Sequence, residues 1–284
     1  MSGGAAQVPL DGGPYHLTAG PDGALWVTLV HGDAIARVSI DGGVDIHPVA
    51  AGSRPSVITT GPDGALWFTR NGDDRIGRIT TDGELSEYQL ASGSAPFGIT
   101  VGSDGALWFT ETGAAGIGRI TVYGEVSRCP ARGDAPSMIT SGPDHALWFT
   151  LNGSSAVGRL DPVSGAVTVR ALPTKGAGPV GIAGTHDDAV WFTEILADKL
   201  GRIPMNEAIQ EIDLPGKPHA VAADPSDGVW VSLWGADQIA RVTGDGEITT
   251  FDLPPGSEPH GLAIHPDGAL WVALESGFVI RLPL

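Results

Sequence analysis

The chain has 284 residues and a single cysteine, Cys129, so no disulfide can form within it. Basic residues are scarce: 16 Lys and Arg stand against 33 Asp and Glu, a formal charge of −17. That balance argues against a nucleic-acid partner, which needs a basic face to neutralise phosphates. It fits a solvated acidic surface, and an acidic funnel also collects metal cations. No stretch reaches the ~18 consecutive apolar residues of a membrane span. The first residues, Met-Ser-Gly-Gly-Ala-Ala-Gln, lack the basic start and apolar core of a signal peptide, so a cytoplasmic protein is expected. Helical periodicity is missing too: 42 Gly and 22 Pro interrupt every candidate helix.

What the chain does have is a period. Seven tryptophans, Trp26, Trp67, Trp108, Trp148, Trp191, Trp230 and Trp271, recur at steps of 41, 41, 40, 43, 39 and 41 residues. A proline stands 12 positions before each, and an arginine 11 positions after each except the last, where Arg281 follows after 10. Each unit carries short runs rich in Val, Ile, Thr, Phe and Trp. Asp-Gly separates the first two runs in several units (Asp22-Gly23, Asp63-Gly64, Asp104-Gly105, Asp267-Gly268), a hairpin signal. Each unit therefore reads as a four-stranded antiparallel meander, strands A to D. The proline starts A, the tryptophan lies on B and the arginine on C. Repeated radially, such units make an all-β seven-bladed β-propeller. One domain over residues 1–284 is expected.

After Trp271 only 13 residues remain, too few for strands C and D. Ala6-Gln-Val-Pro-Leu10 matches the strand D pattern Phe251-Asp-Leu-Pro254. The N-terminus is thus expected to supply the outer strand of the last blade and close the ring. The repeated Trp should pack between blades. The repeated Arg should pair with backbone or carboxylates between blades. A side chain present in every blade is a building part, so function belongs where blades differ.

The start of strand A and the end of strand B share one face of the disc. The residues after each proline are Tyr15, Ser56, Phe97, Ser137, Val180, His219 and His260. Two adjacent blades contribute histidine, others aromatic or apolar groups, as in a ligand pocket. The ends of strand B add Arg70, Asn71, Glu111, Asn152, Glu194, Trp234 and Glu275, and Glu258 precedes the last strand A. Glu258, Glu275, His219 and His260 should converge in one sector. Two carboxylates with water suit a hard cation such as Mg²⁺, and a nearby histidine suits a general base. Singly, such residues on loops are usually just solvated. His31, His47, His145, His186 and His265 fall in turns or outer strands and receive no role; His16 is left open.

The pair Pro218-His219-Ala and Glu258-Pro-His260-Gly, with the repeated Leu-Trp-Phe-Thr and Ile-Gly-Arg-Ile motifs, resembles the virginiamycin B lyase (streptogramin B lyase) family along the full length. The resemblance implies a Mg²⁺-dependent carbon–oxygen lyase. It would open a small cyclic depsipeptide antibiotic at its ester by elimination, a route to antibiotic resistance. It implies His260 as general base, Glu258 and Glu275 as metal ligands, and His219, Tyr15 and Trp234 as substrate-binding residues. Elimination needs no nucleophile, in keeping with the lack of a Ser or Cys triad signature. Leu29, Arg70, Leu151, Leu233 and Leu274 stand where many family blades carry Glu, which leaves the exact substrate open. A metal-dependent lactonase or esterase and a non-catalytic binding propeller are the alternatives. A monomer is the expectation for a closed ring.

Overall fold

The computed structural model describes residues 6–205 and 207–282. It contains seven four-stranded antiparallel sheets in a ring, a seven-bladed propeller. Blade 1 comprises Pro14–Ala19, Leu25–Leu29, Ala34–Val38 and Val44–Pro48 as strands A to D. Blade 7 comprises Pro259–Ile264, Leu270–Leu274 and Phe278–Leu282, with Ala6–Pro9 as its fourth strand. Val8 pairs with Val279 and Pro9 with Phe278, so the expected N-terminal closure is present. No helix among the described residues is long and apolar enough to cross a membrane.

The A–B turns follow from their Asp-Gly sequences. Gly23, Gly64, Gly105 and Gly268 have φ between +73° and +84°, which costs glycine nothing. Every strand A also slips register just after its proline, at the same place in all seven blades. This bulge re-aims the post-proline residue at the rim of the central channel.

The tryptophans are 0–6 % exposed and pack on the next blade. Trp67, for example, meets Ile99, Leu107 and Phe109. Each such indole removes about 150–250 Å² from water, so each is a large part of the apolar seam between its blade and the next. The arginines do not join blades as expected. Each pairs with an aspartate of the A–B turn in its own blade. The reason is register: Arg lies directly across from Trp, and the turn aspartate caps both. In blades 1 to 4 one aspartate oxygen accepts the indole N–H at 2.9–3.2 Å and the other accepts Arg at 2.6–2.7 Å.

Blades are laced by a threonine two residues after the tryptophan. Its hydroxyl donates to the carbonyl of the next blade's post-proline residue in five blades, as from Thr193 to His219 at 2.7 Å. Ser232 and Ala273 replace it in blades 6 and 7.

Candidate active site

His219 and His260 stand at the start of strand A in blades 6 and 7, and Tyr15 at the same place in blade 1. Close approach of blades 7 and 1 depends on Gly261, where a Cβ would lie 2.8 Å from the Tyr15 carbonyl oxygen and from the His16 Cα. The three rings therefore meet at the mouth of the channel. His219 and His260 are edge-to-face with centroids 4.5 Å apart, Tyr15 lies 4.6 Å from His260, and the Tyr15 hydroxyl is 3.4 Å from His219 Nε2. Phe97 abuts Tyr15 at 6.1 Å. Trp234, on the turn leaving strand B of blade 6, adds a half-buried ring 6.4 Å from His260. Below them the axial cavity is only ≈ 30 Å³ and is walled by Tyr15, His16, Phe97 and His219. That holds a water or two, so a larger ligand must sit at the mouth.

Glu275 is the charged member. The loop that carries it, between Leu274 and Phe278, is one residue shorter than the other six B–C loops. Its Oε2 contacts His260 Nε2 without hydrogen-bond alignment, and its Oε1 lies 2.6 Å from His31 Nε2. The contact with His260 holds the Glu275 carboxyl down at about 2, against the opposing effect of partial burial, with help from His31. Burial pushes His219 down to about 3, reinforced by His260. Burial likewise takes His16 down to about 4. The Tyr15 hydroxyl is pushed up, by burial first and then by the Glu275 charge. At neutral pH the site thus holds the Glu275 carboxylate beside the neutral rings of His219 and His16. His260 is 6 % exposed, and its Nδ1, the His219 Nδ1 and the Trp234 Nε1 have no hydrogen-bond partner. Unpaired buried polar atoms at a cleft are places for water or a ligand.

Glu258 lies beside this group through its backbone. Its carbonyl accepts the Glu275 amide at 3.1 Å, and its own amide donates to Asp237 at 3.0 Å. Its side chain is exposed. Mg²⁺ needs only one or two protein carboxylates and keeps several waters; the Glu275 carboxylate lies at the mouth, and Glu258 is tied to it through its backbone. Among the described residues no group of three or more His, Cys, Asp or Glu is set to hold a metal ion.

All six sequence-predicted residues thus fall in one sector, five by side chain and Glu258 by its backbone. Other residues at the ends of strand B do not join them. Arg70, Glu111 and Glu194, three positions after their tryptophans, are only 2, 2 and 0 % exposed and turn into their own blades. Arg70 pairs with Asp73 and Glu87, and Glu111 with Arg128. Alternation along a strand sends that position away from the mouth. His31 was missed by sequence reasoning, which assigned turn histidines no role. The available signal was its position: five residues after the tryptophan, where blades 2, 3, 4 and 6 have glycine.

A model of the virginiamycin B lyase family matches residues 5–282. The chain belongs to this family. It is 74 % identical over 272 residues to virginiamycin B lyase of Mycobacterium sp. (strain KMS), covering 96 % of this chain and 97 % of that one. It is 68 % identical over 279 residues to the Mycolicibacterium smegmatis virginiamycin B lyase, covering 98 % and 99 %. Among solved structures, virginiamycin B lyase from Staphylococcus aureus superposes with a TM-score of 0.94 at 37 % identity, over 99 % of each chain. A catalytically inactive His-to-Ala variant of the S. aureus enzyme, crystallised with quinupristin, superposes with a TM-score of 0.93 at 36 % identity, again over 99 % of each chain.

Proposed function

We propose that this chain is a lyase that linearises streptogramin B cyclic depsipeptides by elimination, with His260 as general base. The observation that carries the reading is the His260–Glu275 pair at a mouth lined by Tyr15, His219 and Trp234. It is supported by family membership and by the S. aureus relative, which a single His-to-Ala change inactivates.

The ester of such a ring joins a threonine side-chain oxygen to a carboxyl group. His260 takes the threonine α-proton, the C–O bond at the β-carbon breaks, and the carboxylate leaves with the bond's electron pair. The products are a dehydro residue and a linear peptide, and no water is consumed. Glu275 orients the imidazole and stabilises the imidazolium that proton transfer creates. Such base catalysis contributes about 10²–10⁴-fold. Tyr15 and Trp234 supply flat apolar surfaces for the ring. His219, neutral because it is buried, orients polar groups without competing for the proton. Glu258 and Glu275 are the residues that would hold Mg²⁺, whose chemistry when bound is to polarise a carbonyl oxygen as a Lewis acid.

Mass spectrometry of a streptogramin B compound after incubation tests the reaction. Ring opening at unchanged mass is expected, whereas a gain of one water would indicate hydrolysis and overturn the lyase reading. His260→Ala should lose turnover by at least about 10²-fold while retaining its circular dichroism and melting temperature. Wild-type turnover in that variant would remove His260 from the mechanism. Chelation of divalent cations should abolish activity and added Mg²⁺ restore it.

A further inference from the structure

Five residues after the tryptophan, blades 2, 3, 4 and 6 have Gly72, Gly113, Gly153 and Gly235. There the B–C loop presses on the loop that enters the blade: a Cβ on Gly72 would lie 2.0 Å from the Gly52 carbonyl oxygen, and one on Gly113 2.4 Å from that of Gly93. Blade 1 carries His31 at this position. The loop beneath it is adapted to receive a ring. The Val30 and His31 amides donate to the Gly13 and Gly12 carbonyls at 3.0 and 2.9 Å. The imidazole lies over Gly13, where a Cβ would come within 2.5 Å of the His31 Cδ2. From that seat His31 reaches across the joint between the first and last blades to Glu275 Oε1, 2.6 Å away.

We propose that His31 is a positioning residue: it pins one oxygen of Glu275 so that the other stays against His260. A carboxylate held through one oxygen can still swing about its terminal torsion, and a second contact fixes its plane. Support of this kind around a catalytic group is typically worth 10- to 100-fold in activity. The His31 side chain is itself 59 % exposed, so the pair adds little to global stability. The inference rests on His260 being the base for its effect on turnover, but the contact geometry it asserts stands apart from that reading.

The test uses wild type, His31→Ala and His31→Gln at one fixed pH, with two readouts. The first is turnover of a streptogramin B compound. His31→Ala should lower kcat by about 10-fold with KM nearly unchanged and the melting temperature held. His31→Gln, whose amide can donate to the same oxygen, should recover most of the loss. The second readout is the imidazole ¹⁵N spectrum of His260 in metal-free protein without substrate. It should shift in His31→Ala and return toward wild type in His31→Gln. An unchanged His260 signal in His31→Ala, or a His31→Gln as impaired as His31→Ala, overturns the proposal. If wild type fails to open the substrate, the functional reading falls, while the ¹⁵N comparison still decides whether His31 positions Glu275.

Discussion

At the scale of single residues, the site is a set of exceptions to a repeat. Tyr15, His219 and His260 were legible because the repeat assigns each a place on one face, and their types differ from blade to blade. His31 was not, because its meaning lies in a contact 244 positions away and in the missing side chains of Gly12 and Gly13 beneath it. The buried imidazoles make a prediction about acid. His219 titrates near 6.5 when unfolded and near 3 when folded. Between those values the unfolded chain binds a proton that the folded one refuses, so its contribution to stability falls as pH drops below 6.5. Glu275, held near 2, adds a loss of the same sign that begins only below its unfolded value of 4.5. The interval from pH 6.5 to 4.5 therefore separates the His219 imidazole from Glu275. His16 and Glu194, the latter raised to about 7 by burial and Glu211, also titrate around this range, but they cancel when variant and wild type are compared. Urea unfolding of His219→Phe should show a weaker decline across that interval than wild type. Parallel pH profiles for the two proteins would mean that His219 is not held neutral by the fold.

At the scale of elements, the strands follow from composition and their turns from a few backbone-permissive residues. The repeated Asp-Gly pairs announced the A–B hairpins, and the structure has them. Less legible was the residue before each blade's proline: Arg54, Ala95, Ala135, Lys217 and Glu258 all have φ between +44° and +54°. Nothing in those side chains favours that conformation. It is imposed by the loop around them, as where Asp33, Asp74 and Asp237 accept the amides of Arg54, Ala95 and Glu258. Blade 4 offers a cleaner case. His145 occupies the A–B turn position that is glycine in blades 1, 2, 3 and 7, with φ of +61° and an exposed side chain. Left-handed geometry costs an L-residue about 1–2 kcal/mol, while glycine's extra freedom in the unfolded chain returns about 0.4–1 kcal/mol of that. The lateral bond from Ser103 goes to the His145 carbonyl and survives substitution. His145→Gly should therefore stabilise the protein by about 0.5 kcal/mol, read as a rise in the urea midpoint with unchanged slope. A lowered midpoint would show that the imidazole makes a contact worth more than the strain.

At the scale of the whole molecule, the site and the ring closure are one structure. His260 and Glu275 come from the last blade, Tyr15 and His31 from the first, and His219 and Trp234 from the sixth. The period of the tryptophans made the ring legible, and the shortage of residues after Trp271 made its closure legible. What the sequence could not show is that the joint between first and last blades runs through the Glu275–His31 contact beside His260. The last blade's outer strand, Ala6–Pro9, pairs with Phe278–Leu282, and Val8 and Leu10 are 8 and 3 % exposed in the core shared by blades 1 and 7. Burial of two such side chains contributes about 1.5–3 kcal/mol each. At about 2–4 °C per kcal/mol for chains of 150–250 residues, removal of residues 1–10 should lower the melting temperature by on the order of 10 °C. The loss should also be uneven. Blades 2 to 5 keep both neighbours and their threonine lacing, whereas blades 1 and 7 lose the strand that backs their contact. Tyr15 and His31 then drift from His260 and Glu275 before the remaining blades melt. Turnover of the truncated protein should disappear several degrees below its unfolding midpoint, while in the full chain the two coincide. A truncated protein that melts and inactivates at the wild-type temperature would show that the N-terminal strand neither closes the ring nor supports the site.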